Sequence, residues 1–246
     1  MSQSYQGFEA KWHDLFWEAE EAPSELLLIE EFLKEVEGPT LYIGSGSGRL
    51  LGPLVKNGHA VSGLDSSAEM VALSRERWPE AEVKEGLWED EAEPKKALLL
   101  PGFTFQLFKN PRRELQRMAD VVGEGGRAYV SLFFPWAELS GDLPAAKWYP
   151  DRELDLPDGN KGEMRTKHVI LEKKSLLKRE HEYTLRSADG EILKQEKRKQ
   201  SVRFFVDTEL NKMLKKTGWK VTKEIYDFGE HDGETVYVTT LFLKQG

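Results

Sequence analysis

The residues with the most chemical content lie in one run, Leu41-Tyr42-Ile43-Gly44-Ser45-Gly46-Ser47-Gly48-Arg49-Leu50, where a β-type stretch enters a glycine-rich turn that opens a helix. Glycines at such a turn let a ligand approach the backbone, and the first N–H groups of the helix are left to meet negative charge. The dinucleotide fingerprint G-x-G-x-x-G fails: counted from Gly44 its third glycine position holds Arg49, and from Gly46 it holds Leu51. Asp65 follows, seventeen residues after Gly48, at the end of a second apolar run in Val61-Ser62-Gly63-Leu64-Asp65-Ser66-Ser67. A carboxylate there accepts hydrogen bonds from both hydroxyls of a ribose bound across the switch point of a parallel sheet. The competing reading makes Asp65 a cap for a helix beginning near Ala68.

Without cysteine, proton transfer and nucleophilic chemistry fall to other groups. Of the five histidines, His59 precedes the second strand and His231 sits in a polar loop, so both read as solvated; His13 and His168 are the candidates for a general base. No histidine or carboxylate pair has metal-ligand spacing, so no metal is expected. The serines of Gly44-Ser45-Gly46-Ser47-Gly48 stand at the wrong offset for a nucleophile elbow.

Apolar spacings of three and four from Phe8 to Val36 suggest two amphipathic helices broken at Pro23, with Ser24 a plausible cap. Thr40 to Ile43 is a strand, 49–57 a helix, Ala60 to Leu64 a strand, Ala68 to Trp78 a helix and Ala81 to Val83 a weak strand. Ala97 to Leu100, a helix over Arg112 to Val122, and Arg127 to Phe134 complete an alternation that implies a doubly wound, mostly parallel α/β sheet. From Lys161 the pattern changes to three extended segments, 165–173, 176–187 and 191–205, the last two joined at Ala188-Asp189-Gly190. A last helix capped at Asp207 or Thr208 and ended by Gly218 precedes a strand pair, Trp219 to Phe228 and Thr235 to Leu243. The chain then divides into an N-terminal helical segment 1–39, a cofactor-binding α/β core 40–159, an antiparallel lid insertion 160–206 and a helix with strand pair 207–246 that completes the sheet.

Composition narrows the partners. The 246 residues are 39% hydrophobic with a net charge of −8, which disfavours a general binder of nucleic-acid backbone. Residues 161–203 hold 13 Lys or Arg against 7 Asp or Glu, so the insertion is +6 and the remainder −14; this reads as a solvated outer face ahead of an anion site. No window approaches 18 consecutive apolar residues and the N-terminus lacks the pattern of a secretory signal, so a cytoplasmic protein is expected, acting on a small molecule, away from nucleic acid and membranes.

At these residues the chain resembles the class I S-adenosylmethionine-dependent methyltransferases of small-molecule type. Gly44-x-Gly46-x-Gly48 is similar to their first motif, Gly63 to Met70 to their second, and Val121-Val122-Gly123-Glu124-Gly125-Gly126 to the turn before their fifth strand. Arg203-Phe204-Phe205 through Thr217-Gly218-Trp219 resembles the segment that re-enters the core sheet, so the likeness spans about 40–244, with Trp12 and His13 matching an N-terminal pair over the cofactor. Two positions depart from the pattern. Tyr42 stands where an acid usually helps hold the methionine ammonium group, and Leu87 where an acid usually bonds the adenine amine, unless Glu85, Glu89 or Asp90 substitutes.

The resemblance implies a Rossmann-like seven-stranded sheet, S-adenosyl-L-methionine as cofactor, and methyl transfer by in-line displacement, which asks the protein mainly to hold donor and nucleophile in register. It implies cofactor contacts from Trp12, Tyr42, Gly44, Ser45, Gly46, Gly48, Asp65, Ser66 and Met70, then Gly86, Leu87, Trp88, Pro101 and Phe103. Leu64, Met70 and Trp88 would wall the adenine. Aromatic faces suit a sulfonium cation, and Phe105, Gln106, Phe133, Trp136, Trp148 and Tyr149 are the expected acceptor contacts, although aromatics this dense also serve as packing. The alternatives are a catalytically diverged protein that binds S-adenosylmethionine or S-adenosylhomocysteine, favoured by Tyr42 and Leu87, a nicotinamide-dependent enzyme, and a methyltransferase of macromolecules.

Overall fold

Leucine-rich runs alternate with short capped helices through the first half of the chain, and the computed structural model describes residues 5–18, 22–229 and 238–246. In chain order the elements begin α1 (Phe8–Glu18), α2 (Ala22–Leu33), β1 (Thr40–Ile43), α3 (Leu51–Lys56), β2 (Val61–Asp65), α4 (Ala68–Arg77), β3 (Val83–Glu85), β4 (Ala97–Leu100), α5 (Pro111–Val122) and β5 (Arg127–Phe133). They continue α6 (Trp136–Ser140), β6 (Tyr149–Asp155), β7 (Lys161–Leu171), β8 (Leu176–Arg186), β9 (Ile192–Arg203), α7 (Asp207–Lys216), β10 (Trp219–Tyr226) and β11 (Val238–Gln245). Contacts divide them into two compact units, one from 21–134 and 205–246, the other from 5–20 and 135–204.

The first unit is built on a seven-stranded sheet in the order β10-β11-β5-β4-β1-β2-β3. β1 to β5 run parallel, and β11 is antiparallel to both β5 and β10. From β1 the chain moves outward through β2 and β3, then returns to β4 on the other side of β1, so the switch point lies between β1 and β4. Alternate residues bury opposite faces. Leu41, Ile43, Leu98, Leu100 and Val130 meet α5 and α7 through Leu115, Met118 and Leu214, whereas Tyr42, Leu99, Tyr129 and Phe242 meet α2 and α3 through Ile29, Phe32, Leu51 and Leu54. Asn110 Oδ1 caps α5 by accepting from Arg113 N at 3.2 Å, with Pro111 in the first turn where its missing N–H costs nothing.

The second unit is an antiparallel sheet, β6-β7-β8-β9. Its inner face carries Gly162, Met164, Thr166 and His168 from β7, in register with Leu185, Tyr183, His181 and Arg179 from β8. Phe8 and Trp12 of α1 pack there on Tyr183, with Phe16, Leu154, Met164 and Leu185 around them. Gly162 lets the ring lie close on the sheet, since a Cβ there would stand a tight 3.3 Å from Trp12.

Several boundaries differ from the sequence reading. α2 starts at Ala22, so Pro23 falls in its first turn and Ser24, the expected cap, lies inside the helix. β3 is displaced to Val83–Glu85, β6 joins the antiparallel sheet ahead of residue 160, and α1 belongs with that sheet. The loop holding His231 and the start of the expected last strand lie outside the described residues. Among the described residues no helix is long and apolar enough to cross a membrane, and no group of three or more His, Cys, Asp or Glu is placed to hold a metal ion.

Candidate active site

The C-terminal ends of β1, β2, β4 and β5 converge at the switch point. Gly44, Gly46 and Gly48 all adopt left-handed φ, at +72°, +56° and +80°, which explains glycine at each. Their surroundings separate their roles. A Cβ on Gly44 would press on Thr104 at 2.8 Å and one on Gly48 on Ser74 Oγ at 2.5 Å, so these two are needed for packing. A Cβ on Gly46 would meet nothing within 4 Å, so here the backbone faces open space, as close approach by a ligand requires.

Asp65 ends β2 beside this turn and is buried. Its Oδ2 accepts from Gly46 N at 2.9 Å and its Oδ1 from Ser67 N at 2.8 Å. The helix-cap reading is therefore displaced: Ser67 caps α4, its Oγ accepting from Met70 N at 3.1 Å. Asp65 is instead a tie between the glycine turn and the start of α4. A carboxylate has room for about four hydrogen bonds, so these two anchor it without by themselves saturating it. Gly86 N donates to Asp65 O at 2.9 Å, bringing the end of β3 to the same place, and Ser66 follows Asp65 in the bend before α4. Ser45 Oγ is buried without a hydrogen-bond partner, against the backbone of Gly63.

On the other side of β1, Pro101 and Gly102 lead into Phe103, which holds a left-handed φ of +63° although it is not glycine. Such strain persists only where the surroundings enforce it. The Phe103 and Phe133 rings stand 5.6 Å apart at the ends of β4 and β5. Gln106 fixes this corner: its Nε2 donates to Phe133 O at 2.8 Å and its Oε1 accepts from Phe133 N at 2.6 Å, like one further rung of strand pairing.

Several expected contacts have other employment. Phe105 is buried in the core against Phe108 and Phe205, and Gln106 spends its amide on Phe133, so neither is an acceptor contact. Trp88 is fully buried, donates from Nε1 to Glu114 Oε2 at 3.0 Å and lies under the Arg117 guanidinium, so it is a packing residue with no adenine wall to offer. Leu64 is buried in the same core and Met70 is buried in the first turn of α4. Leu87 is 45% exposed and Glu85 is also exposed. Tyr42 is a core tyrosine facing α2 and α3. Trp12 stacks on Phe8 at 4.2 Å inside the second unit's core, which accounts for its aromatic character without a cofactor. His59 is half-buried, with Nε2 3.9 Å from Glu30 Oε1, and is not fully solvated as expected.

The second unit gathers polar groups on the inner face of its sheet. His168 is 1% exposed, and neither ring nitrogen has a hydrogen-bond partner. Burial pushes its pKa down, Glu138 pulls it up and Arg179 pushes it down further, so the imidazole is neutral near pH 7. Glu138 and Arg179 form an ion pair, and Tyr149 meets the His168 ring edge-on at 5.9 Å. Burial, with Asp151 next, pushes the Tyr149 phenol up to about 12. Trp148, by contrast, lies under Lys167 at 4.7 Å and Lys197 at 5.3 Å, and Trp136 is exposed at the start of α6. His13 Nδ1 is 3.0 Å from Asp14 Oδ1, and its ring meets Tyr5 edge-on.

Two groups here escaped the sequence reading. Thr166 donates its hydroxyl to Asp151 and lies 2.8 Å from His181 Nδ1, so that nitrogen carries the proton; burial holds His181 down at about 4. Glu9 of α1 is largely buried 4.0 Å from Arg198, and burial outweighs that cation to raise its carboxyl to about 7. In the sequence Glu9 resembles any solvated carboxylate on an amphipathic helix, and the Thr166–Asp151 pairing is set by strand register, so neither leaves a local signal.

An open glycine turn, an acid closing the next strand and a switch point between them, on a parallel sheet ending in an antiparallel pair, define the class I S-adenosylmethionine-dependent methyltransferase fold. Residues 41–130 match the family model described as a methyltransferase domain. No curated protein sequence matches the chain. Among solved structures it is similar to an S-adenosylmethionine-dependent methyltransferase from Clostridium acetobutylicum at 13% identity, covering 96% of this chain and 97% of that one, with a TM-score of 0.75. It is also similar to the CcbJ methyltransferase from Streptomyces caelestis at 16% identity, covering 99% and 100%, TM-score 0.75. A third is CalS10, an amino pentose methyltransferase from Micromonospora echinaspora solved with S-adenosylmethionine bound, at 14% identity, covering 100% and 99%, TM-score 0.70.

Proposed function

We propose that this protein transfers a methyl group from S-adenosyl-L-methionine to a nucleophilic nitrogen or oxygen of a small molecule. The observation that carries the reading is Gly46, open above its Cα, tied through its N–H to the Asp65 carboxylate at the switch point. Asp65 would receive the ribose hydroxyls, Gly44 to Gly48 would run beneath the amino-acid portion, and Ser66 and Gly86 would border the nucleoside. When bound, the cofactor supplies an electrophilic methyl carbon on sulfur: the acceptor's lone pair forms the new bond as the carbon–sulfur bond breaks and a thioether leaves. Phe103 and Phe133 would help exclude water from the strand ends where that carbon would lie.

A neutral amine or hydroxyl must shed a proton in the course of transfer. His168, neutral and with neither ring nitrogen engaged in a hydrogen bond, is the preferred base through whichever nitrogen lacks the proton, with Tyr149 positioned against its ring. His13 is the second candidate. We assign acceptor choice to the second unit, whose inner face carries these groups, and an amine-bearing acceptor is favoured by the amino pentose acted on by the similar structure. The net charge of −8 argues for a small molecule over nucleic acid, and the absence of cysteine fits a cytoplasmic setting.

The alternative is a diverged cofactor-binding protein, favoured by Tyr42 and Leu87 at positions where the resemblance expects acids. Titration calorimetry with S-adenosylhomocysteine, followed by transfer of labelled methyl to a panel of small amines and alcohols, separates the two. Binding with transfer supports the enzyme, and binding without transfer to any acceptor supports the alternative. No binding at millimolar ligand overturns both.

A further inference from the structure

The amino-acid end of S-adenosylmethionine carries an ammonium group, and an ammonium leaving water needs an anionic partner. With the ribose at Asp65 on the β2 side of the glycine turn, the other end of the molecule would cross the turn toward β4 and β5, which lie on the far side of β1. Strand register identifies what lies there. Tyr42 pairs with Leu99, Leu99 with Tyr129, and two residues further along β5, level with Gly44, stands Ser131. Ser131 Oγ donates to Glu25 Oε1 at 2.8 Å. Glu25, in the first turn of α2, is 4% exposed, so a carboxylate lies deep in the unit at the β5 end of the row that begins at Gly44. At that depth a cation is attracted far more strongly than by an exposed acid. Glu25 also raises the neighbouring Tyr129 hydroxyl, after burial the largest influence on it, which places its negative charge against the same row as Tyr42.

We propose that Glu25 is the anionic partner of the cofactor's ammonium group, doing from α2 what the side chain at Tyr42 cannot do from β1. The inference rests on the cofactor reading above. It is tested by titration calorimetry with two probes: S-adenosylhomocysteine, and 5′-methylthioadenosine, which has the same nucleoside and sulfur but neither ammonium nor carboxylate. Glu25→Gln keeps an oxygen for Ser131 and removes the charge. It is expected to weaken S-adenosylhomocysteine by about 10- to 100-fold, the scale of a lost charged hydrogen bond, and to leave methylthioadenosine within about 2-fold. Ser131→Ala, which frees the carboxylate from its tether, is expected to weaken S-adenosylhomocysteine alone by several-fold, and it stands in if Glu25→Gln does not fold. Equal loss for both probes, or no loss for S-adenosylhomocysteine, overturns the assignment; loss in Tyr42→Phe with Glu25→Gln unchanged gives the role to the tyrosine hydroxyl. A parent protein that binds neither probe removes the cofactor reading as well.

Discussion

Replacing Glu9 by glutamine is expected to stabilise the protein at alkaline pH and to expose a pH dependence that the parent hides. Glu9 titrates near 7 in the fold against 4.5 as the ordinary value, because burial outweighs the attraction of Arg198. A folded-state acid raised by about 2.5 units makes the fold about 3 kcal/mol less stable above pH 7 than below 4.5, since in that window the folded form holds a proton the unfolded chain has lost. His181 works in the opposite sense. Held at about 4 against an ordinary 6.5, it stays neutral while the unfolded chain takes up a proton, so stability falls by about 3 kcal/mol as pH drops from 6.5 to 4. Between roughly 4.5 and 6.5 the two slopes oppose and nearly cancel. In Glu9→Gln only the histidine slope remains. Urea unfolding followed by tryptophan fluorescence at pH 4.5, 5.5, 6.5 and 8 should show a variant close to the parent at the acid end and more stable by up to about 3 kcal/mol at pH 8. A stability difference that stays constant across that range would refute the assignment of the raised carboxyl to Glu9.

Asp65→Ala should lower cofactor affinity by about 2 to 4 kcal/mol and also weaken the fold, because it removes the acceptor for both Gly46 and Ser67; calorimetry showing unchanged S-adenosylhomocysteine affinity in a folded variant would count against a ribose role. Gly52→Ala should destabilise by about 1 to 3 kcal/mol, since its Cβ would lie 1.9 Å from the Trp78 ring, and thermal melts should fall while ligand affinity in the folded fraction holds. Gln106→Leu should release the end of β5, raising hydrogen exchange at the Phe133 amide; continued protection there would show the clamp to be dispensable.

The parallel half was legible because all of its strands but β3 are short, largely buried runs, and the alternation with helices leaves few topologies open; β3, with only Val83 buried, was placed two residues early. Ala97 to Leu100 matches its strand to the residue. β6 was not legible for an identifiable reason. Tyr149-Pro150-Asp151-Arg152-Glu153-Leu154-Asp155 has a proline, four charges and a shift of register between Pro150 and Arg152, features an edge strand tolerates and a central one does not. The glycine turn and Asp65 stood out by type and spacing, whereas Trp88, Phe105 and Gln106 were drawn into the site by their position after a strand. Only three-dimensional packing distinguishes a side chain turned into the core from one turned toward a ligand. Glu25 lay hidden for the converse reason: its partner, Ser131, is more than a hundred residues away in the chain.

The charge of residues 161–203 acquires a different meaning once β9 is seen to be the rim of its sheet. A rim of twelve residues, with a full row of backbone donors and acceptors on its outer side, is a template for strand addition by another chain. β9 carries Lys194, Lys197, Arg198, Lys199 and Arg203 against the single acid Glu196, so a second copy docking there would bring two strongly cationic strands together. The opposite rim, β6, is irregular at Pro150 and cannot offer an unbroken ladder. The cationic surplus thus acts as protection against polymerisation through β pairing.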